Sequence, residues 1–91
     1  MCDPKTVTAG VDKVVEILHD GGEHGHSVAV VRVGREEIIA RRWNGTQEKP
    51  NGFPTSFGRP TWDFLSKEEG MVLAAFYRAK EWSIREMAVV T

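Results

Sequence analysis

Apolar residues recur at helical spacing over the first twenty positions. Asp3 before Pro4 resembles an N-cap followed by proline, and Gly21-Gly22 is a stop signal. The pattern therefore predicts a first helix over residues 5–20, and packing must stabilise it because valine and glycine lower intrinsic helicity. The apolar residues lie on one face of this helix: Val7, Val11, Val14, Val15 and Leu18.

The apolar spacing changes to a strand period after residue 26. Segments 27–33 and 37–43 are rich in β-branched residues and flank Gly34-Arg35, a pair suited to a two-residue hairpin turn. In the resulting register, aliphatic partners and opposite charges meet across the strands. One face carries small aliphatic residues, so we expect a helix to pack closely on it. The predicted pairs are Val33–Glu36, Arg32–Glu37, Val31–Ile38, Val30–Ile39 and Ala29–Ala40.

Residues 43–62 are dense in turn signals, among them Asn44-Gly45 and Phe57-Gly58. A loop of this length is usually either a binding loop or a disordered segment. Because aromatic side chains are costly to leave in a mobile linker, we predict an ordered excursion held by its rings. The alternating segment 61–65 predicts a short third strand.

A capping box formed by Ser66 and Glu69 predicts a second helix that runs from Lys67 to about Ala88 or breaks near Ser83. The apolar side of this helix, which we expect to face the core, carries Val72, Leu73, Phe76, Tyr77, Ile84 and Met87. The predicted fold class is α+β: a helix, an antiparallel β-hairpin plus a short third strand, and a C-terminal helix (α-β-β-β-α). All 91 residues are expected to form a single small domain.

Composition narrows the class of protein. The 41% hydrophobic and 27% charged content is ordinary for a globular domain. No apolar run approaches the length that spans a bilayer, and the N-terminus lacks the layout of a signal peptide. A single cysteine, Cys2, cannot form an internal disulfide. We therefore expect a cytoplasmic protein that does not bind membranes.

Charge is distributed unevenly along the chain. The net charge is −3 over residues 1–27, +3 over residues 28–60 and −1 over residues 61–91. A near-neutral chain exerts little long-range attraction on nucleic acid. Any anion site is expected in the middle third.

Catalytic chemistry is poorly represented. His19, His24 and His26 are the densest group of potential metal ligands, but their spacing matches no common metal motif, and a solvated turn accounts for them equally well. No phosphate-binding glycine motif or nucleophile elbow is present. We predict a protein that is not an enzyme and has no cofactor.

Two binding functions remain open. The preferred one is a binding or regulatory module that acts through protein–protein contacts, as a homodimer or with a protein partner, because tryptophan, arginine and methionine are enriched at interfaces. The alternative is a nucleic-acid-binding accessory protein, with rings stacking on bases and guanidinium groups on phosphates. Met71 and Trp82 are further interface candidates. The predicted contact residues are Arg41, Arg42, Trp43, Phe53, Phe57, Arg59 and Trp62.

Part of the chain resembles a known group of sequences. Arg42-Trp43-Asn44-Gly45, Lys49-Pro50 and the segment from Gly58 to Trp62 are similar to a pattern in small uncharacterised bacterial proteins of plasmids, phages and other mobile elements. The match covers about a quarter of the chain. It carries no activity or catalytic residue, and implies an accessory protein distinguished by its loop. The order α-β-β-β-α also resembles the topology of a double-stranded-RNA-binding domain, although the second helix opens with acidic residues.

Overall fold

The computed structural model describes the backbone of residues 3–90 and the side chains of residues 3–80. A 3₁₀ turn over Pro4–Thr6 precedes three long strands, β1 (Lys13–Asp20), β2 (His26–Val33) and β3 (Glu36–Trp43). Three short strands follow, and then one long helix. These last elements are β4 (Thr55–Ser56), β5 (Arg59–Pro60), β6 (Asp63–Phe64) and α1 (Lys67–Val90). The coarse prediction of an α+β fold with an antiparallel sheet and a C-terminal helix is confirmed.

The main sheet has the order β1-β2-β3-β6, with antiparallel pairing throughout. The predicted hairpin register is confirmed at every pair, from Val33 opposite Glu36 to Ala29 opposite Ala40. The third strand is shorter than predicted, because only Asp63 and Phe64 pair with β3. Strands β4 and β5 form a separate two-stranded hairpin within the long loop.

The predicted first helix is wrong, since residues 13–20 form strand β1. The cause lies in two irregularities in the pairing of β1 with β2, one between Val14 and Glu16 and one between Ile17 and His19. Each β-bulge adds one residue to the strand, so the residues that face the core recur every three positions instead of every two. Val14 and Ile17 both pack on the core at this spacing. A doubly bulged strand therefore reproduces in sequence the apolar period of a helix, and its presence removes the topological resemblance to a double-stranded-RNA-binding domain.

The hairpin's small aliphatic face, which we call the core face, is covered by the N-terminal segment and Trp62 rather than by a helix. Val7 is 1% exposed and packs in one cluster with Ala29, Val31, Ala40 and Trp62. The Trp62 indole donates a hydrogen bond of 2.7 Å from Nε1 to the Val7 carbonyl oxygen. Because that bond joins residues far apart in sequence, it fixes both segments on the core face.

The opposite face, the helix face, is crossed by α1. Gly70 lies so close to β3 that an added Cβ would be 2.8 Å from the Ile39 Cβ. Two turns later, Tyr77 stacks on His19 of β1 at 4.6 Å, and Arg78 lies 3.2 Å from the Glu16 carboxylate. The helix therefore runs across the strands, from β3 to β1.

The side of α1 that packs on the sheet differs from the predicted one. Gly70 and Ala74 are buried because small residues permit close approach, whereas Val72 and Phe76 on the opposite side are exposed. Leu73 and Tyr77, which belong to the predicted side, are half-buried, and Tyr77 contacts β1 through His19. The predicted positions Ile84 and Met87 lie outside the residues whose side chains the structure describes.

Candidate functional site

The long loop carries a small β-hairpin whose turn is formed by Phe57 and Gly58. Both residues have positive φ angles, +50° and +76°, which is the signature of a type I′ turn. The Phe57 side chain is 102% exposed, as open as in an extended peptide. Arg59 follows on β5 and is also exposed. We call Phe57, Gly58 and Arg59 the hairpin tip.

The conformation of Phe57 is unusual for its residue type. Type I′ turns favour asparagine, aspartate or glycine at this position, because a bulky side chain is strained at positive φ. The left-handed conformation costs an ordinary residue roughly 1–2 kcal/mol. At the tip, that cost accompanies full exposure of an apolar ring, so neither local propensity nor burial within the described residues favours phenylalanine there.

The base of the loop is held by a buried arginine. Arg42 is 1% exposed, and its guanidinium donates hydrogen bonds to the carbonyl oxygens of Thr61 and Asn51. The Asn51 side chain in turn donates from Nδ2 to the Gly58 carbonyl oxygen at 2.9 Å. A chain of polar contacts therefore links strand β3 to the hairpin tip.

A second buried polar group fixes the start of the loop. Asn44 is fully buried, and its Oδ1 accepts a 2.8 Å hydrogen bond from the Ser27 hydroxyl. Its Nδ2 donates to the Gly22 carbonyl oxygen at 2.9 Å. Beside it, the Trp43 indole donates to the His24 carbonyl oxygen at 3.2 Å. Hydrogen-bonded side chains and backbone therefore hold the loop, whereas the Phe53 and Phe57 rings that were predicted to hold it are exposed.

Two of the predicted contact residues belong to the interior. Trp62 is 5% exposed in the core cluster, and the Arg42 guanidinium is committed to backbone carbonyls. Neither can contact a partner without unfolding the loop, so both are removed from the site. Trp43 is half-buried, and the remaining predicted contact residues are exposed: Arg41, Phe53, Phe57 and Arg59.

A signal for the structural role of Arg42 was present in the sequence. The confirmed register extends by three more pairs beyond Ala29–Ala40, and the second of them places Arg42 opposite Ser27. Opposite residues share a face of the sheet, so Arg42 and Ser27 project to the core face, where both are buried. An arginine on a core face must satisfy its donors internally.

The two further interface candidates, Met71 and Trp82, have different outcomes. Met71 is 64% exposed near the start of α1, beside a groove that it shares with Phe64 and Ile39. Met71 therefore remains available to a partner. Trp82 lies outside the residues whose side chains the structure describes.

The histidine cluster does not converge on one point. His19 stacks on Tyr77, whereas His24 is exposed in the turn after β1 and lies 3.8 Å from the Glu23 carboxylate. His26 is exposed at the start of β2. Within residues 3–80, no three histidine, cysteine or acidic side chains are arranged to hold a metal ion.

Comparison of the chain with protein-family models, curated proteins and solved structures finds no match. The resemblance to mobile-element proteins therefore stays a prediction. In the described part of the chain, no helix combines the length and apolar character needed to cross a membrane.

Proposed function

We propose that this protein is a non-enzymatic binding module that contacts a protein partner through the hairpin tip. The observation that carries the proposal is Phe57, a fully exposed ring held at a φ of +50°. Strain of this kind is typical of functional positions, where the surrounding structure maintains it. A single aromatic ring inserted into a partner pocket is the usual centre of a protein interface.

The support beneath the tip suits that role. The ring projects from a two-residue turn whose strands are fixed by Asn51 and, through the loop backbone, by the buried Arg42. A preorganised turn loses little backbone conformational entropy on binding, so more of the contact energy of the ring appears as affinity. Exposed Arg59, two residues from Phe57, adds a positive charge to the tip.

The nucleic-acid alternative has less support. Of the residues it requires, Arg42 has its guanidinium on loop carbonyls, and the Trp43 indole is half-buried with its Nε1 bonded to His24. Arg41 and Arg59 remain exposed, in a chain of net charge −1. Two arginines neutralise only about two phosphates and therefore give weak binding to nucleic acid.

The substitution Phe57→Asn tests the proposal, because it creates an asparagine-glycine turn that keeps the backbone conformation while removing the ring. We expect partner capture from a lysate by the immobilised protein to be lost, with affinity for a purified partner reduced at least tenfold. The free energy of unfolding should be unchanged or higher by about 1 kcal/mol, since the strain at positive φ is relieved.

Phe76→Ala is the matched control, because Phe76 is an exposed ring on α1 outside the tip. It should capture the same partners as the unmodified chain. Retention of every partner by Phe57→Asn would contradict the proposal. Gel-shift of single-stranded RNA or DNA that depends on Arg41 and Arg59, but not on Phe57, would favour the nucleic-acid alternative instead.

A further inference from the structure

A groove of about 620 Å³ lies between the start of β3 and the first turns of α1. Its walls are apolar where Ile39, Leu65, Phe64 and Met71 line it. Phe64 and Met71 are substantially exposed. The volume is within the range of about 300–1,000 Å³ that is typical of ligand sites. The groove is therefore large enough to accept a bulky apolar side chain from outside.

The rim of this groove is acidic. Glu36 and Glu37 line it against a single basic residue, Lys67. Arg32 pairs with Glu37 at 3.6 Å, whereas Glu36 makes no ion pair within residues 3–80. The groove is thus complementary to a ligand that carries a positive charge next to an apolar group.

The hairpin tip carries that combination of groups. Phe57 supplies an exposed ring, and Arg59 places an exposed guanidinium two residues further along. Because the Phe57 ring is fully exposed, it does not occupy the groove of its own chain. We propose that the protein self-associates by inserting the tip of one copy into the groove of a second copy, with Arg59 facing Glu36. This inference rests on the proposed function of the tip and names its partner.

A reciprocal dimer is the form that this contact favours. One buried phenylalanine removes about 150–250 Å² from water, well below the 1,200 Å² or more in a stable interface. If each copy inserts its tip into the other's groove, the contact is made twice and the assembly closes with two-fold symmetry. Met71, exposed at the groove, enlarges both contacts.

Self-association by extension of the sheet is disfavoured. The outer strand β1 is interrupted twice along its length by register shifts, and bulges are a known means of preventing edge-to-edge pairing. On the other side, β6 covers Ala40 and Arg41 of β3.

Charge exchange between two variants tests the proposal. Arg59→Glu places an acidic residue on the tip, and Glu36→Lys places a basic residue on the groove. Each variant alone has like charges at the contact, so we expect its dimer dissociation constant to rise at least about tenfold over that of the unmodified chain. In an equimolar mixture, both tip–groove contacts are complementary, and the dimer should be restored. Sedimentation velocity over a concentration series measures the mass.

Two further variants keep the test decisive. Phe57→Asn should be monomeric and folded by circular dichroism, whereas Phe76→Ala should dimerise normally. The proposal is overturned if the unmodified chain is monomeric at all concentrations, if Phe57→Asn still dimerises, or if the mixed charge variants stay monomeric. A monomeric chain that loses a separate protein partner on Phe57→Asn would overturn self-association and leave the proposed function standing.

Discussion

At the scale of single residues, this loop buries an arginine and exposes a phenylalanine, which is the reverse of the usual pattern. Arg42 is buried and its guanidinium donates hydrogen bonds to backbone carbonyl oxygens, whereas Phe57 is fully exposed. The buried guanidinium replaces a hydrophobic cluster as the centre of the loop, because one planar donor group bonds several carbonyls at once. That arrangement leaves the ring available for a partner.

Gly52 shows how tightly the loop closes on Arg42. It has a φ of +62°, and an added Cβ would meet the Trp43 carbonyl oxygen and lie 2.8 Å from Arg42 Nη2. We expect Gly52→Ala to cost about 1–3 kcal/mol of unfolding free energy through this overlap, beyond the strain of positive φ. Urea denaturation followed by circular dichroism measures the loss.

The matched control is Gly58→Ala, because Gly58 also has positive φ, at +76°, but no atom within 4 Å of an added Cβ. It should lose only about 1–2 kcal/mol, the cost of the left-handed conformation. Equal losses in the two variants would show that the loop does not close on the Trp43 carbonyl and Arg42 as described.

At the scale of elements, strand β1 and helix α1 have opposite relations to their sequences. The bulges of β1 give its sequence the apolar period of a helix, whereas the start of α1 is marked in the sequence by its capping residues. The Ser66 hydroxyl accepts a hydrogen bond from the Glu69 backbone N–H at 3.3 Å and donates to the Glu69 carboxylate at the same distance. The N-cap at Ser66 predicted from sequence is therefore confirmed, with the Glu69 carboxylate bonded back to the Ser66 hydroxyl, and the cap fixes the start of α1 after β6.

Removal of this cap should weaken the attachment of α1. We expect Ser66→Ala to lower the unfolding free energy by about 1 kcal/mol, since the hydroxyl no longer satisfies the Glu69 N–H. Differential scanning calorimetry detects the accompanying fall in melting temperature. Ser56→Ala, in the exposed strand β4, serves as the control and should change stability by less than about 0.5 kcal/mol; a comparable fall there would argue against the cap.

At the scale of the whole molecule, the two faces of the sheet are covered by different means. The N-terminal segment and Trp62 close the core face, and α1 crosses the helix face through Gly70 and Ala74. Because the crossing helix contacts the sheet with small residues, its larger side chains Val72 and Phe76 remain exposed. Of the apolar residues in the sequence pattern of α1, Val72 and Phe76 therefore do not hold the helix in place, whereas Tyr77 stacks on His19 of β1.

This division predicts contrasting effects of the same substitution. Val7→Ala should destabilise the protein by about 2 kcal/mol, because Val7 is buried at 1% exposure and its loss leaves a cavity on the core face. Val72→Ala should be neutral or stabilising by a few tenths of a kcal/mol, since Val72 is 69% exposed and alanine has the higher helix propensity. Chemical denaturation of both variants measures these changes. A larger loss for Val72→Ala than for Val7→Ala would indicate that α1 packs on the sheet through the side that carries Val72.

The sequence by itself determined the hairpin register and the start of α1. Each depends on contacts between residues near in sequence: the Gly34-Arg35 turn sets the pairing, and Ser66 caps its own helix. Only the tertiary structure decided that residues 13–20 form a strand, that Trp62 is interior and that the Phe57 ring is fully exposed at the tip. These outcomes depend on contacts over long sequence separations, such as Trp62 with Val7 and the pairing of bulged β1 with β2, for which local spacing carries no signal.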